Sequence, residues 1–281
     1  MVRKRSYYHA MMRSLAGVFL LMLLICAGLH KPATGRPSDV PQQRPHAVLN
    51  AEQVVHNLVR MNLERAQALH AYEATRIYRV EYRGFPGARK AEMVVNVKYR
   101  SPATKEFTVV SATGSKLMID RVFRKLLQTE QEAFTTENRR HTAINAENYD
   151  FTLAGVEDLP SGSLYVLAVT PRTKNKYLFQ GRIWVDAEQF AVVRIEGQPA
   201  KNPSFWIKDT TIEEVNMRVA DFWLPAHNHS VTSVRLGGHA DFTIEYKDYH
   251  ITDAGPLNKL GSQAVANHAN LGRGIAAFGQ F

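Results

Sequence analysis

The sequence predicts an α+β, mainly β fold, with roughly ten antiparallel strands, one amphipathic helix ahead of them and a helical insertion after the third. Three observations predict it. Apolar and polar residues alternate over most of the chain from Tyr72 to Ile251. The connections between the alternating runs are short and carry Gly, Pro or Asp, which favours antiparallel neighbours. The period of two gives way to a helical period at two places only, near Asn50 and after Ser115.

The elements follow in order. Arg3, Lys4, Arg5 and Arg13 precede the apolar run LAGVFLLMLLICAGL, and Ala33-Thr34-Gly35 offers a small-x-small cleavage site. Residues 1–35 therefore read as a secretory signal peptide. The competing reading, an uncleaved anchor, needs roughly 18–20 apolar residues, and this run is shorter. Residues 36–49, with three prolines, form a linker. Asn50 caps a helix with Gln53 three residues on, and Val54, Val55, Leu58, Met61, Leu63, Ala66 and Leu69 give it one apolar face. Three strands follow, Tyr72–Tyr82, Ala91–Tyr99 and Glu106–Ala112, the first two joined by Gly84-Phe85-Pro86-Gly87. Leu117, Met118, Val122, Phe123, Leu126 and Leu127 then take helical spacing towards Phe134, and residues 135–148 form a polar loop with a short helix. Seven further strands are expected: 149–156, 164–171, 177–186, 190–198, 206–218, 223–236 and 240–251. The single folded domain spans 50–253, and 254–281 is a Gly/Ala-rich flexible tail.

Composition narrows the function. Cys26 is the only cysteine; it lies in the leader, where the bulky Ile25 before it argues against lipid attachment. Once the leader is removed, disulfides, a cysteine nucleophile and thiolate metal sites are excluded. The processed chain carries 30 basic against 26 acidic side chains, a net +4, which is no nucleic-acid footprint. A weak, transient attraction to membrane surfaces fits that charge. No G-x-S-x-G elbow, phosphate loop, dinucleotide glycine pattern or H-E-x-x-H is present, so no catalytic residue and no cofactor is expected. His227 and His229 share a strand face, with His239 across the next hairpin, but no carboxylate or thiolate stands at a recognised metal spacing, and no metal is expected.

Aromatic residues crowd the strands. They fill a β core, or they wall an apolar ligand if the sheet curls without closing. The stretches Gly181-Arg182-Ile183-Trp184-Val185-Asp186, Val192-Val193-Arg194-Ile195-Glu196-Gly197 and Asp221-Phe222-Trp223-Leu224-Pro225 resemble the lipoprotein-sorting family of LolA/LolB-like periplasmic proteins. The likeness of order and pattern covers about Asn50 to Ile251 and leaves out the tail. It implies a half-open antiparallel β-barrel with the insertion as a lid, and a monomeric periplasmic carrier of lipoprotein acyl chains or other lipid-like molecules. Alternation alone points to Tyr78, Val80, Met93, Val95, Val97, Phe107, Val109, Phe179, Ile183 and Val185 as the lining of such a cavity, with Leu117, Val122 and Phe123 on the lid. The alternative is an envelope signalling or scaffold module that binds a protein partner with the same fold. A hydrolase acting on envelope lipids would need an acid, base and nucleophile that the sequence does not bring together.

Overall fold

The structure, a computed structural model, describes residues 49–102, 104–133, 142–175, 177–202, 207–235 and 237–257. The expected signal peptide, all but the end of the linker, the first half of the 135–148 loop and the tail from residue 258 lie outside the described residues. Helix α1 is Ala51–Ala68. The strands are β1 Leu69–Gly84, β2 Arg89–Arg100, β3 Thr104–Gly114, β4 Tyr149–Leu159, β5 Gly162–Pro171, β6 Phe179–Asp186, β7 Val192–Pro199, β8 Ile207–Val219, β9 Phe222–Val234 and β10 Gly238–Ala254. Between β3 and β4 stands α2, made of Lys116–Met118, a wider π segment Ile119–Phe123, and Arg124–Ala133. Among the described residues no helix is long and apolar enough to cross a membrane.

All ten strands form one antiparallel sheet in the order β3-β2-β1-β10-β9-β8-β7-β6-β5-β4. The architecture is the expected half-open barrel with an N-terminal helix and a helical insertion after the third strand. Its joint is the β1–β10 pairing, which sets Tyr78 against Ile244 and Tyr82 against Ala240. The free edges, β3 and β4, are consecutive in sequence, so the segment holding α2 connects one margin of the sheet to the other.

Alternation sorts the side chains. Tyr72, Ala74, Tyr78, Val80 and Tyr82 of β1 are buried on the face that the helices cover, as are Ala91, Met93, Val95 and Val97 of β2. The outer face holds solvated pairs such as Arg79 with Glu92 and Glu245, and Lys98 with Glu73. Helix α1 starts as its sequence requires: Asn50 Oδ1 accepts from the Gln53 N–H at 2.9 Å, and Gln53 Oε1 accepts from the Asn50 N–H at 3.0 Å. Its far end is fixed by the buried Arg65, which donates to the carbonyls of Gln189 and Phe190 in the β6–β7 turn.

Gly181 and Gly197 face each other across β6 and β7. A Cβ on Gly181 would stand 2.0 Å from the Glu196 carbonyl oxygen, which is backbone and cannot swing aside. Gly181→Ala is therefore expected to cost about 1–3 kcal/mol by overpacking, read from the denaturant midpoint. Gly155→Ala, with nothing within 4 Å of the new methyl group, is the matching control.

Candidate functional site

The helix-covered face is the candidate site. Its two largest apolar clusters lie under the helices. In the first, Met118, Ile119, Val122, Phe123, Leu126 and Leu127 of α2 lie on Tyr78, Val80, Met93, Val95 and Val97, together with Phe242, Ile244 and Tyr246 of β10. Phe123 sits at its centre, with ring centroids 6.0 Å from Tyr78 and 6.1 Å from Phe242. In the second, Val54, Val55 and Leu58 of α1 lie on Tyr149, Tyr165, Leu167, Phe179, Ile183, Val185, Val192 and Ile195.

The residues expected to line a cavity, Val109 apart, fall into these clusters. Tyr78, Val80, Met93, Val95 and Val97 are buried under α2, and Phe179, Ile183 and Val185 are buried in the α1 cluster. Phe107, opposite Val97, is partly buried against the first cluster. Val109 stands opposite Val95 but is 40% exposed, because β3 is an edge strand. Of the lid residues, Val122 and Phe123 are buried and Leu117 is half-buried. The apolar face thus carries its own helical side chains as its contents.

Beneath α2 lies a charged group that the alternation argument passed over. Arg76 falls between Ala74 and Tyr78 on the inward row of β1 and is buried, as are Lys105 of β3 and Glu130 of α2. Glu130 accepts from Arg76 Nη1 at 2.9 and 3.1 Å and from Lys105 Nζ at 2.7 Å. The Arg76 guanidinium also donates to the Tyr78 hydroxyl at 3.2 Å and stacks 5.0 Å from the Tyr246 ring centroid. Burial opposes charge on Glu130, yet the attraction of Arg76 and Lys105 outweighs it and holds the carboxyl below its ordinary range. One carboxylate on the helix thus ties it to two strands. The signal available in the sequence was a cation at an inward-facing strand position.

Polar residues at inward-facing positions also mark β8 and β9. Glu214 is fully buried, facing Asn228 in the register, with Asn216, Ser230, Thr210 and Thr232 buried nearby. Burial pushes the Glu214 carboxyl up to about 8, only partly offset by the Asn228 and Asn216 amides. Glu214 acts electrostatically on Tyr246, which also feels Arg76, Tyr78 and Glu130. Folded Glu214 keeps its proton where the unfolded chain loses it, so stability falls as pH rises from about 4.5 to about 8. Glu214→Gln is expected to remove that decline, so that its advantage over the parent in denaturant midpoint grows across this window.

The three histidines do not converge. The His227 and His229 rings are 6.3 Å apart, while His229 approaches Asp241 at 3.2 Å and His239 approaches Ser233 at 3.3 Å. Among the described residues no group of three or more His, Cys, Asp or Glu is placed to hold a metal ion.

No family model and no curated protein matches the chain. Solved structures do. A DUF1329 family protein from Desulfovibrio piger is 13% identical, with 72% of this chain and 93% of that one covered and a TM-score of 0.36. A putative outer membrane lipoprotein-sorting protein domain from Vibrio parahaemolyticus is 10% identical over 76% and 97%, with a TM-score of 0.36. A LolA superfamily protein from Nitrosomonas europaea is 11% identical over 74% and 96%, with a TM-score of 0.32. The solved structures similar to this chain thus include lipoprotein-sorting proteins of the kind its sequence resembles.

Proposed function

We propose that this chain is an exported binding protein that takes the acyl part of a lipid or lipoprotein against the inner face of its half-barrel, in place of α2. The observation that carries the reading is the first apolar cluster: a row of buried strand residues closed by a helix strung between the two free edges. The leader-like residues 1–35 support export.

Magnitudes favour a reversible exchange. Six apolar α2 side chains are buried in the cluster. At about 1.5–3 kcal/mol each, their return to water costs on the order of 9–18 kcal/mol. An acyl chain of about sixteen carbons gains roughly 12 kcal/mol on burial, at about 0.8 kcal/mol per methylene. The two terms are of one size, so cargo can displace the helix and the helix can expel the cargo. A carrier needs that balance.

The test is uptake of a fluorescent fatty acid by the purified processed chain, with native mass spectrometry of the gently purified protein alongside. Expected are saturable uptake and a lipid-sized mass increment. A bare polypeptide mass together with no uptake would overturn the reading. A second reading, a module that binds a protein partner, is favoured by exposed apolar residues at both free edges, Val109 and Val110 on β3 and Val156 and Leu159 on β4. An unpaired edge with apolar side chains suits an added strand. A stoichiometric partner recovered from an envelope fraction and retained after delipidation would support it.

A further inference from the structure

Between the two apolar clusters the inner face changes character. The buried residues Asn228, Ser230 and Thr232 follow one another along the inward row of β9, and Thr210, Glu214 and Asn216 lie on the inward row of β8. None of the six belongs to either cluster. The inward residues of β6 and β7 next to them, Ile183, Val185, Val192 and Ile195, are apolar, so nothing in the topology demands polarity here.

Part of this seam is internally satisfied. Thr210 and Thr232 share a hydrogen bond of 3.0 Å, Asn216 Nδ2 donates to the Val192 carbonyl at 3.0 Å, and Asn228 Nδ2 donates to Glu214 Oε2 at 3.4 Å. The remainder is not. Glu214 Oε1, Asn216 Oδ1, Ser230 Oγ and the Tyr246 hydroxyl are buried with no protein hydrogen-bond partner. Such groups are rare in folded proteins and each is costly, so a cluster of them calls for a partner. Tyr246 belongs with the set, because Glu214 acts electrostatically on it and it is the next inward residue along β10 after Ile244, which pairs with Asn228.

The chemistry of the four atoms selects the partner. An amide oxygen only accepts, so Asn216 requires an O–H or N–H from its ligand. Ser230 and Tyr246 can donate or accept. Burial keeps Glu214 in its neutral form, which also does both. Arg76, whose guanidinium lies over the Tyr246 ring, is already committed to Glu130. We propose that Glu214, Asn216, Ser230 and Tyr246 form a subsite for the uncharged, hydroxyl-bearing head of an acylated ligand whose chain lies on the apolar cluster beside it. This deepens the acyl-binding reading and rests on it.

The experiment is displacement of the bound fluorescent fatty acid from the processed chain by three ligands with one acyl chain: monoolein, methyl oleate and oleate. Monoolein is expected to displace the probe at about tenfold lower concentration than methyl oleate, which lacks the hydroxyl donors. Ser230→Ala combined with Tyr246→Phe is expected to close most of that gap. Both replaced oxygens lack protein partners, so the melting temperature of the variant should be at or above the parent's. Equal displacement by monoolein and methyl oleate, or a gap that survives in the double variant, would overturn the subsite while leaving acyl binding intact. Oleate displacing tenfold better than monoolein would overturn the uncharged head in favour of an anionic one. No displacement by any of the three would sink the acyl-binding reading itself, and the subsite with it.

Discussion

Glu130→Ala is expected to destabilise the protein by about 3–5 kcal/mol, because it removes the buried carboxylate that Arg76 and Lys105 share and leaves the Arg76 charge buried. Arg76 is 2% exposed, so solvent cannot replace its lost partner without the helix moving. The loss should therefore appear first as motion of α2. Hydrogen exchange of residues 116–133 should accelerate more than that of α1, and uptake of a fluorescent fatty acid should become faster. Asp120→Ala is the control within the same helix: its pair with Arg124 is exposed, and such pairs contribute about 0–1 kcal/mol. Acid should mimic the variant. The Glu130 carboxyl is held below its unfolded value, so its contribution is complete above the unfolded pKa and is lost as pH falls through the lower folded one. A loss near 1 kcal/mol for Glu130→Ala, with unchanged exchange in α2, would show that the charged group does not hold the helix.

Phe123→Ala should cost about 3–5 kcal/mol, the range for emptying a buried aromatic position. The ring is fully buried and touches the sheet through Tyr78 and Phe242, whose own centroids are 6.4 Å apart. Truncation removes one corner of that triangle and leaves an apolar void beneath the π segment. Leu117→Ala, at a half-buried position on the same helix, should cost far less. Denaturant titration of the two variants gives the comparison. Equal losses at the two positions would mean that α2 does not close the face through Phe123.

Strands were legible because the sheet has one covered face, so alternation reported burial directly. β1 and β2 extend the expected ranges by only a few residues, and β10 runs three past Ile251 to Ala254. The Asn50–Gln53 cap was legible because its chemistry is local. The closing partner of β1 was not, since the pairing of Leu69 with Ala254 leaves no local trace. Arg76, Glu214 and Asn216 were missed for a different reason. A search for apolar rows steps over a polar residue at an inward position, although such a residue is the more informative observation. Val109 shows the converse: alternation gives a side chain's face but not whether anything covers it.

The seam between β1 and β10 also bears on how the chain assembles. The meander of three strands at the start waits for the last strand before it joins the rest of the sheet; β1–β10 is the one ladder among the described strands that joins elements far apart in sequence, and closing it carries the largest loop-entropy cost. Synthesis alone cannot complete the fold while the C-terminal third is still being made. If the chain stopped before Gly238, no ladder would remain to join the three early strands to the six later ones.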